Sequence, residues 1–403
     1  RKVFTYPKRG YIYDRNNNLL VSNQPSYDVM IIPGLVKELD TTEFCKLLKI
    51  SKDYFDNKIE RTRKYSTRIP SVFLAHLSKE DYGFLAEKIR KYDGFYIQKR
   101  NLRQYNTTIG ANVLGYVAEV NRSNLEKDKY YSQGDIIGKQ GVELSYEKYL
   151  RGEKGIKFIQ KDRFNRDIGS FNDGLNDINS IPGNDLTITI DSELQEYGEL
   201  LMSNKKGAIV AIEPSSGELL TLVSAPSYNP NLLVGRERSK NYFELYQDSI
   251  YKPLLDKGLL STFPAGSPFK VIVGLIALEE KVISEKSTIL CKGEYIYGRN
   301  KKSMKCHCGG GYRNIYNAIS ESCNSYFADI YRKTISKNNE ISDNFNSWNE
   351  SVKSFGLGNY LNNDLPIGKK GMIPTSEFYD RWYPDFRWGP TTNLSKDRKS
   401  TRL

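Results

Sequence analysis

Phe263-Pro264-Ala265-Gly266-Ser267-Pro268-Phe269-Lys270 runs straight into the apolar segment Val271 to Leu278, and the reading of the chain turns on this stretch. Pro264 and Gly266 suit a tight turn. Pro268 suits a first helical turn, where a missing N–H costs nothing, and Val271, Ile272, Leu275, Ile276 and Leu278 continue at helical spacing. Ser267 and Lys270 therefore share one face of a helix start. A serine hydroxyl needs a base to become a nucleophile, and a lysine amine serves once burial and neighbouring charge lower its pKa. The only histidines, His76 and His307, lie beside no candidate serine, so a Ser-His-Asp mechanism has little to draw on. Ser-x-x-Lys alone is weak evidence. It recurs as Ser203-Asn204-Lys205-Lys206, and an isolated match reads as a helix start with a solvated lysine.

Working outward, 403 residues exceed one ordinary core and predict two or three domains. Sixty Lys plus Arg against 48 Asp plus Glu give +12, spread along the chain, which suits work near an anionic membrane or its wall polymers. No RNA- or DNA-reading motif accompanies that charge, so nucleic acid is not an expected partner. The longest apolar run, Val271 to Leu278, is too short to span a bilayer. Arg1-Lys2-Val3-Phe4 reads as mid-protein sequence and is expected to follow a removed segment.

Tyr11 to Val21 predicts a β-hairpin turning at Asp14 to Asn18, and Tyr27 to Pro33 another strand. Thr41 to Lys52 and Ser78 to Arg90 carry capped helical patterns, with Lys58 to Arg68 a solvated helix or loop. Gly138 to Gly152 reads as a helix closed by glycine, and Gln160 to Ile168 as strand. Ser170 to Gly183, rich in Asn, Asp, Gly and Ser, has linker composition. Beyond it come a strand from Asp185 to Asp191, a helix from Leu194 to Met202, and a hairpin of Gly207 to Pro214 with Gly217 to Ser224. The fold class is α+β. Residues 1–175 form a mixed, β-rich pedestal and 176–403 an antiparallel sheet with helices gathered around it.

Ser322-Cys323-Asn324 follows the Ser267/Lys270 pair about fifty residues later, between two helical segments. The pair of motifs resembles the first two of the penicillin-recognising serine transferases. Arg9-Gly10 with Asp14-Arg15-Asn16, the Gly138-to-Gly152 block, Gly207 to Pro214, Ser224 to Asn231 and Pro253-Leu254-Leu255 narrow it. From about Arg9 to about Leu394 the chain resembles a class B penicillin-binding protein of the elongation type. The resemblance implies a non-catalytic pedestal (1–175), tethered in the family by a membrane helix absent here, and a transpeptidase domain (176–403). It implies a peptidoglycan D,D-transpeptidase on the outer, periplasmic face of the inner membrane, needing no cofactor for catalysis. Ser267 would attack the D-Ala-D-Ala carbonyl of a stem peptide and Lys270 accept its proton. Ser322 and Asn324 would pass protons to the leaving amine and hold the donor. β-Lactams would acylate the same serine, and a SEDS-type glycosyltransferase and elongation scaffold proteins would be partners.

Two departures stand out. Pro268 replaces the family's usual threonine. The third motif, Lys-Thr-Gly or Lys-Ser-Gly, is missing, since Lys399-Ser400-Thr401 lacks the glycine. The expectation is an incomplete transpeptidase domain, in a truncated or frame-shifted copy, inactive as it stands. A dead scaffold keeping its partner contacts, and a serine β-lactamase or β-lactam sensor, are the competing functions.

Cys45 reads as a core residue. Cys291, Cys306, Cys308 and Cys323 fall within 33 residues, with His307 between two of them. Four soft ligands at this spacing suggest a structural zinc, with Cys308 favoured over His307; disulfides or free thiols are the other readings.

Overall fold

The computed structural model describes residues 2–77, 79–161, 167–298, 300–338, 340–383 and 388–390. The chain divides into two compact units: Arg1–Leu259 with Asp364–Pro366, and Leu260–Asn363 with Ile367–Leu403. The expected boundary near 175 lies inside the first unit, because the helix Ser192–Leu201 and the hairpin Gly207–Ile212/Leu219–Ala225 fall within it.

The first unit is organised by one strand, Leu19–Ile31, thirteen residues long. It takes in both the second arm of the expected hairpin and the separately expected strand from Tyr27. Phe95–Tyr105 pairs antiparallel along it from Val21 to Ile31, and Ser71–Leu77 joins its other edge only from Tyr27 onward. Pro25 sits where that other edge is free, so its missing N–H breaks no second ladder. Phe44, Phe55, Phe73, Tyr92 and Phe95 pack beneath the sheet, with ring centroids 4.5–6.0 Å apart around Phe44 and Phe73. Two helices cover this core, Thr41–Leu48, capped by Asp40, and Lys52–Tyr65, which takes in the basic stretch from Lys58.

The chain then returns to its own beginning. Leu186–Thr187 pairs parallel with Ile12–Tyr13, and the Gly183 N–H donates to Lys8 O at 2.8 Å. Gly10 lies under that return: a Cβ there would fall 1.8 Å from Asn184 O, so only glycine fits. The stretch with linker composition is fastened down, with Ile178 bridging Ile156 and Ile181 bridging Glu153. Gly138 to Gly152 forms two short helices, Gly141–Ser145 and Glu147–Leu150, which place two acids on Arg9. Arg9 Nε donates to Glu143 Oε2 and Arg9 Nη2 to Glu147 Oε2, both at 2.6 Å. Arg103 Nε meets Glu143 Oε1, also at 2.6 Å, and all four residues are buried.

The second unit packs around two helices. Phe269–Glu279 buries Phe269, Val273, Gly274, Ile276 and Ala277; Asn324–Ile335 buries nine of its twelve residues. Ile315, Phe345 and Trp348 from neighbouring helices complete the core. Between these two helices the chain makes a pair of two-stranded ladders, Ile289–Cys291 with Gly311–Arg313 and Glu294–Tyr297 with Lys302–Lys305. The tail from Thr391, including Lys399-Ser400-Thr401, lies outside the described residues.

Candidate active site

Ser267 stands just before Pro268, the residue that opens the helix Phe269–Glu279. Pro268 has φ −54° and ψ −30°, so its ring is already in helical geometry and the replacement of threonine strains nothing. Ser322 sits in the turn between Ile315–Ser320 and Asn324–Ile335, with φ 51°. A non-glycine residue in the left-handed region is held there at a cost, and such positions gather at functional sites. The turn points the Ser322 hydroxyl at both partners on the catalytic helix.

The four expected catalytic residues come together. Lys270 Nζ donates to Ser322 O at 2.8 Å, to Ser322 Oγ at 2.9 Å and to Asn324 Oδ1 at 2.6 Å. Those three acceptors use all three protons of an ammonium group. Ser322 Oγ in turn donates to Ser267 Oγ at 2.9 Å. Among the described residues, the hydroxyl of Ser322 thus stands between the lysine and the serine expected to be the nucleophile, where the sequence reading has Lys270 acting on Ser267 directly. Burial pushes the Lys270 pKa below the ordinary lysine value, against the opposing pull of Cys306, Cys323 and Cys308. The Phe327 ring lies 5.9 Å from its ammonium. Asn324 is fixed at its other end as well, with Nδ2 donating to Lys305 O at 3.0 Å. Nothing in the composition of the Lys305 segment signals that contact, because a backbone carbonyl carries no residue type.

These two motifs are borne on a chain with known kin. The Penicillin-binding Protein dimerisation domain model matches residues 4–188, and the Penicillin binding protein transpeptidase domain model matches residues 207–395. The chain belongs to the class B penicillin-binding proteins. The peptidoglycan D,D-transpeptidase MrdA of Acinetobacter baumannii is 32% identical over 382 residues, which is 92% of this chain and 54% of that protein. MrdA of Escherichia coli strain K12 is 28% identical over 403 residues, 94% of this chain and 60% of that protein. This penicillin-binding protein chain thus spans little more than half the length of those curated relatives. The penicillin-binding protein PBP2 of Helicobacter pylori, solved in complex with MreC, superposes with a TM-score of 0.80 at 27% identity, covering 100% of this chain and 74% of that one. The pedestal and the α+β transpeptidase domain are those of the family. No helix among the described residues is long and apolar enough to cross a membrane.

Beside the two motifs of this penicillin-binding protein lie four sulfurs. The Sγ atoms of Cys291, Cys306, Cys308 and Cys323 all fall within 4.8 Å of one another, while His307, exposed, is outside that group. Cys306 is 3.2 Å from Cys308 and 3.6 Å from Cys323, and Cys308 is 3.5 Å from Cys291. A disulfide needs about 2.05 Å, whereas four sulfurs at about 2.3 Å from one zinc ion stand a little under 4 Å apart. The donor set and its spacing fit a tetrahedral zinc. Burial opposes ionisation of Cys306, but N–H groups of Ser325 and Cys308 and the neighbouring thiols outweigh it and bring its pKa down to about 6. The backbone N–H of Asn324 also donates to Cys306 Sγ, at 3.1 Å.

Proposed function

We propose that this chain carries the acylation centre of a peptidoglycan D,D-transpeptidase of the elongation type, with Ser267 as nucleophile. The observation that carries the reading is the hydrogen-bonded line from Lys270 through Ser322 to Ser267, with Asn324 held beside it. Neutral Lys270 accepts a proton from Ser322 while Ser322 takes one from Ser267, which requires only that the two hydroxyl hydrogens rotate. The Ser267 oxygen bonds to the carbonyl carbon of the penultimate D-alanine, and the Ser267 N–H at the helix start stabilises the oxyanion. Protonated Lys270 and Ser322 return the proton to the departing amine of the last D-alanine. An acceptor amine from a neighbouring peptide then displaces Ser267, handing its own proton back along the same line. Asn324 orients the donor's amide. The pedestal preceding the transpeptidase domain supports this reading over a free-standing β-lactamase or β-lactam sensor.

By the same resemblance the protein works at the outer face of the cell membrane, beside a SEDS-type glycosyltransferase and an elongation scaffold. The Helicobacter pylori relative, solved with MreC, supports the scaffold part. Cys291, Cys306, Cys308 and Cys323 would hold a structural zinc, which when bound supplies a rigid cross-link and no chemistry of its own in the reaction.

Intact mass after incubation with benzylpenicillin tests the nucleophile. A covalent adduct of one penicillin, lost in Ser267→Ala, is the expected result. An adduct that survives the substitution would place the nucleophile elsewhere, and no adduct on the whole protein would sink the transpeptidase reading.

A further inference from the structure

The long strand Leu19–Ile31 has a gap along one edge. Ile12–Tyr13 pairs with it only up to Val21 and Ser71–Leu77 only from Tyr27, so Ser22 to Ser26 meet no strand on that side among the described residues. A cavity of about 110 Å³ lies at this gap, lined by Asn23 and Ser26 of the strand, Val72 and Ala75 of its neighbour, and Val117 and Ile136. Its whole lining belongs to the first unit. One water needs about 10–15 Å³ of such room, so the cavity takes a ligand of several heavy atoms.

Buried polar atoms of both kinds stand on this lining without a hydrogen-bond partner among the described residues. Arg103 spends Nε on Glu143 and Nη1 on Asn23 Oδ1 at 3.1 Å, but its Nη2 has no acceptor, and the side chain is 0% exposed. The hydroxyl of Ser26, 3% exposed, is also unpartnered. Asp135, 4% exposed, takes Lys154 and the Ser132 N–H on Oδ2 and leaves Oδ1 bare. An unmade hydrogen bond of this kind costs about 1–3 kcal/mol, more for a charged group, so a ligand that completes all three has a strong hold. Charge says what kind of ligand. The six basic residues of the lining are answered by six acids, Asp28, Glu119 and Asp135 in the lining and Asp128, Glu143 and Glu147 holding its arginines from outside. A plain anion would leave Asp135 Oδ1 bare and a plain cation would leave Arg103 Nη2. A ligand neutral overall, with one charge of each sign, satisfies both.

We propose that this cavity binds a small free amino acid as its zwitterion, with the carboxylate on Arg103 Nη2 and Ser26 Oγ and the ammonium on Asp135 Oδ1. Both ends then make charge-assisted hydrogen bonds, roughly twice as strong as those a neutral water offers. The apolar walls leave room for a short side chain. D-Alanine is the first probe, because the reaction proposed above releases one for each transfer; that choice rests on the transpeptidase reading, and the site itself does not.

The experiment is isothermal titration calorimetry of the whole protein with D-alanine, L-alanine, sodium acetate and methylamine. One amino acid per chain should bind, with acetate and methylamine each weaker by about tenfold or more, since each lacks one charged end. Ser26→Ala should weaken amino-acid binding about tenfold while Tm without ligand stays level or rises, because the hydroxyl has no partner in the protein to lose. A merely structural serine would leave the titration untouched. Ala75→Leu, which fills the cavity with carbon, should abolish binding.

Absence of binding by either alanine would mean that the cavity holds water only and overturns the inference. Acetate binding as tightly as the amino acids overturns the zwitterion. Binding that survives Ser26→Ala unchanged but disappears when the protein is saturated with benzylpenicillin would put the amino acid in the catalytic cleft and likewise overturn it. Failure of benzylpenicillin to acylate strikes the transpeptidase reading alone, and the alanine titration then still decides the pedestal site.

Discussion

The backbone N–H of Asn324 donates to Cys306 Sγ at 3.1 Å while the side chain of the same asparagine accepts from Lys270 Nζ at 2.6 Å. One residue therefore joins the sulfur cluster to the proposed base. Cys323, its neighbour in sequence, belongs to the same cluster, so the turn bearing Ser322 is gripped from both sides.

Metal analysis should accordingly find about one zinc per chain. Cys306→Ser should lower zinc content, lower Tm, and slow acylation by benzylpenicillin, because the Asn324 N–H loses its sulfur acceptor. Full acylation by a zinc-free, stably folded variant would separate the cluster from the site.

Ser322→Ala removes the middle of the hydrogen-bonded line and leaves Lys270 without an acceptor at 2.9 Å. Acylation by benzylpenicillin should slow by about 10²- to 10⁴-fold, the usual range for a lost proton-transfer group. Circular dichroism should be unchanged, since Ser322 is only half-buried, in a turn between two helices. A loss below threefold would mean that Lys270 reaches Ser267 without the hydroxyl between them.

The pH dependence of acylation follows from Lys270. The base must be neutral, so the rate should rise with pH and level off above the Lys270 pKa, which burial holds below the ordinary value of 10.5. Stopped-flow acylation from pH 5 to 10 should show that rising limb. A rate still climbing at pH 10 without curvature would mean that the lysine is not lowered.

In the pedestal, Glu143→Ala should cost about 3–5 kcal/mol, because two buried guanidiniums, Arg9 and Arg103, would lose their shared carboxylate. Denaturant unfolding of the protein would read this directly. A change under 1 kcal/mol would mean that water replaces the acid without penalty.

Asp14 links the first hairpin turn to the helix starting at Ser192. Its burial disfavours the charge, but the Ser192 hydroxyl at 2.6 Å and the Asn18 and Asn16 donors more than offset that and lower its pKa to about 2. With the unfolded value near 3.9, the stabilisation is complete above that pH and is lost as pH falls toward 2. Asp14→Asn should flatten this acid limb in thermal unfolding; an unchanged limb would assign the acid sensitivity to other groups.

The sequence made the site easier to read than the pedestal. Ser267 and Lys270 share a helical face by spacing alone, and Ser322 with Asn324 supplied the second motif. The hairpin at Gly207 to Ser224 announced itself by two apolar runs on either side of Pro214-Ser215-Ser216-Gly217. What failed to show was long-range backbone pairing, which leaves no compositional trace. Tyr11 to Val21 and Tyr27 to Pro33 read as separate pieces, yet Leu19–Ile31 is one strand that runs through Pro25, where only one edge is paired. Ser170 to Gly183 looked like a free linker, yet Ile178 and Ile181 are bridged to Ile156 and Glu153. Arg9 stood 134 and 138 residues from Glu143 and Glu147 of the Gly138-to-Gly152 block, with no signal that they meet.

The return of Leu186–Thr187 to Ile12–Tyr13 also sets a timetable for the chain's manufacture. Tyr11 and Asp185, joined across that seam, are 174 positions apart. At roughly 5–20 residues per second a ribosome needs on the order of 10–35 s to deliver the second after the first. Until then the first hairpin is an open edge, and Gly10 has nothing above it. The seam closes only when the nascent pedestal is almost wholly synthesised, so that interval is when the newborn protein is most exposed to wrong strand partners.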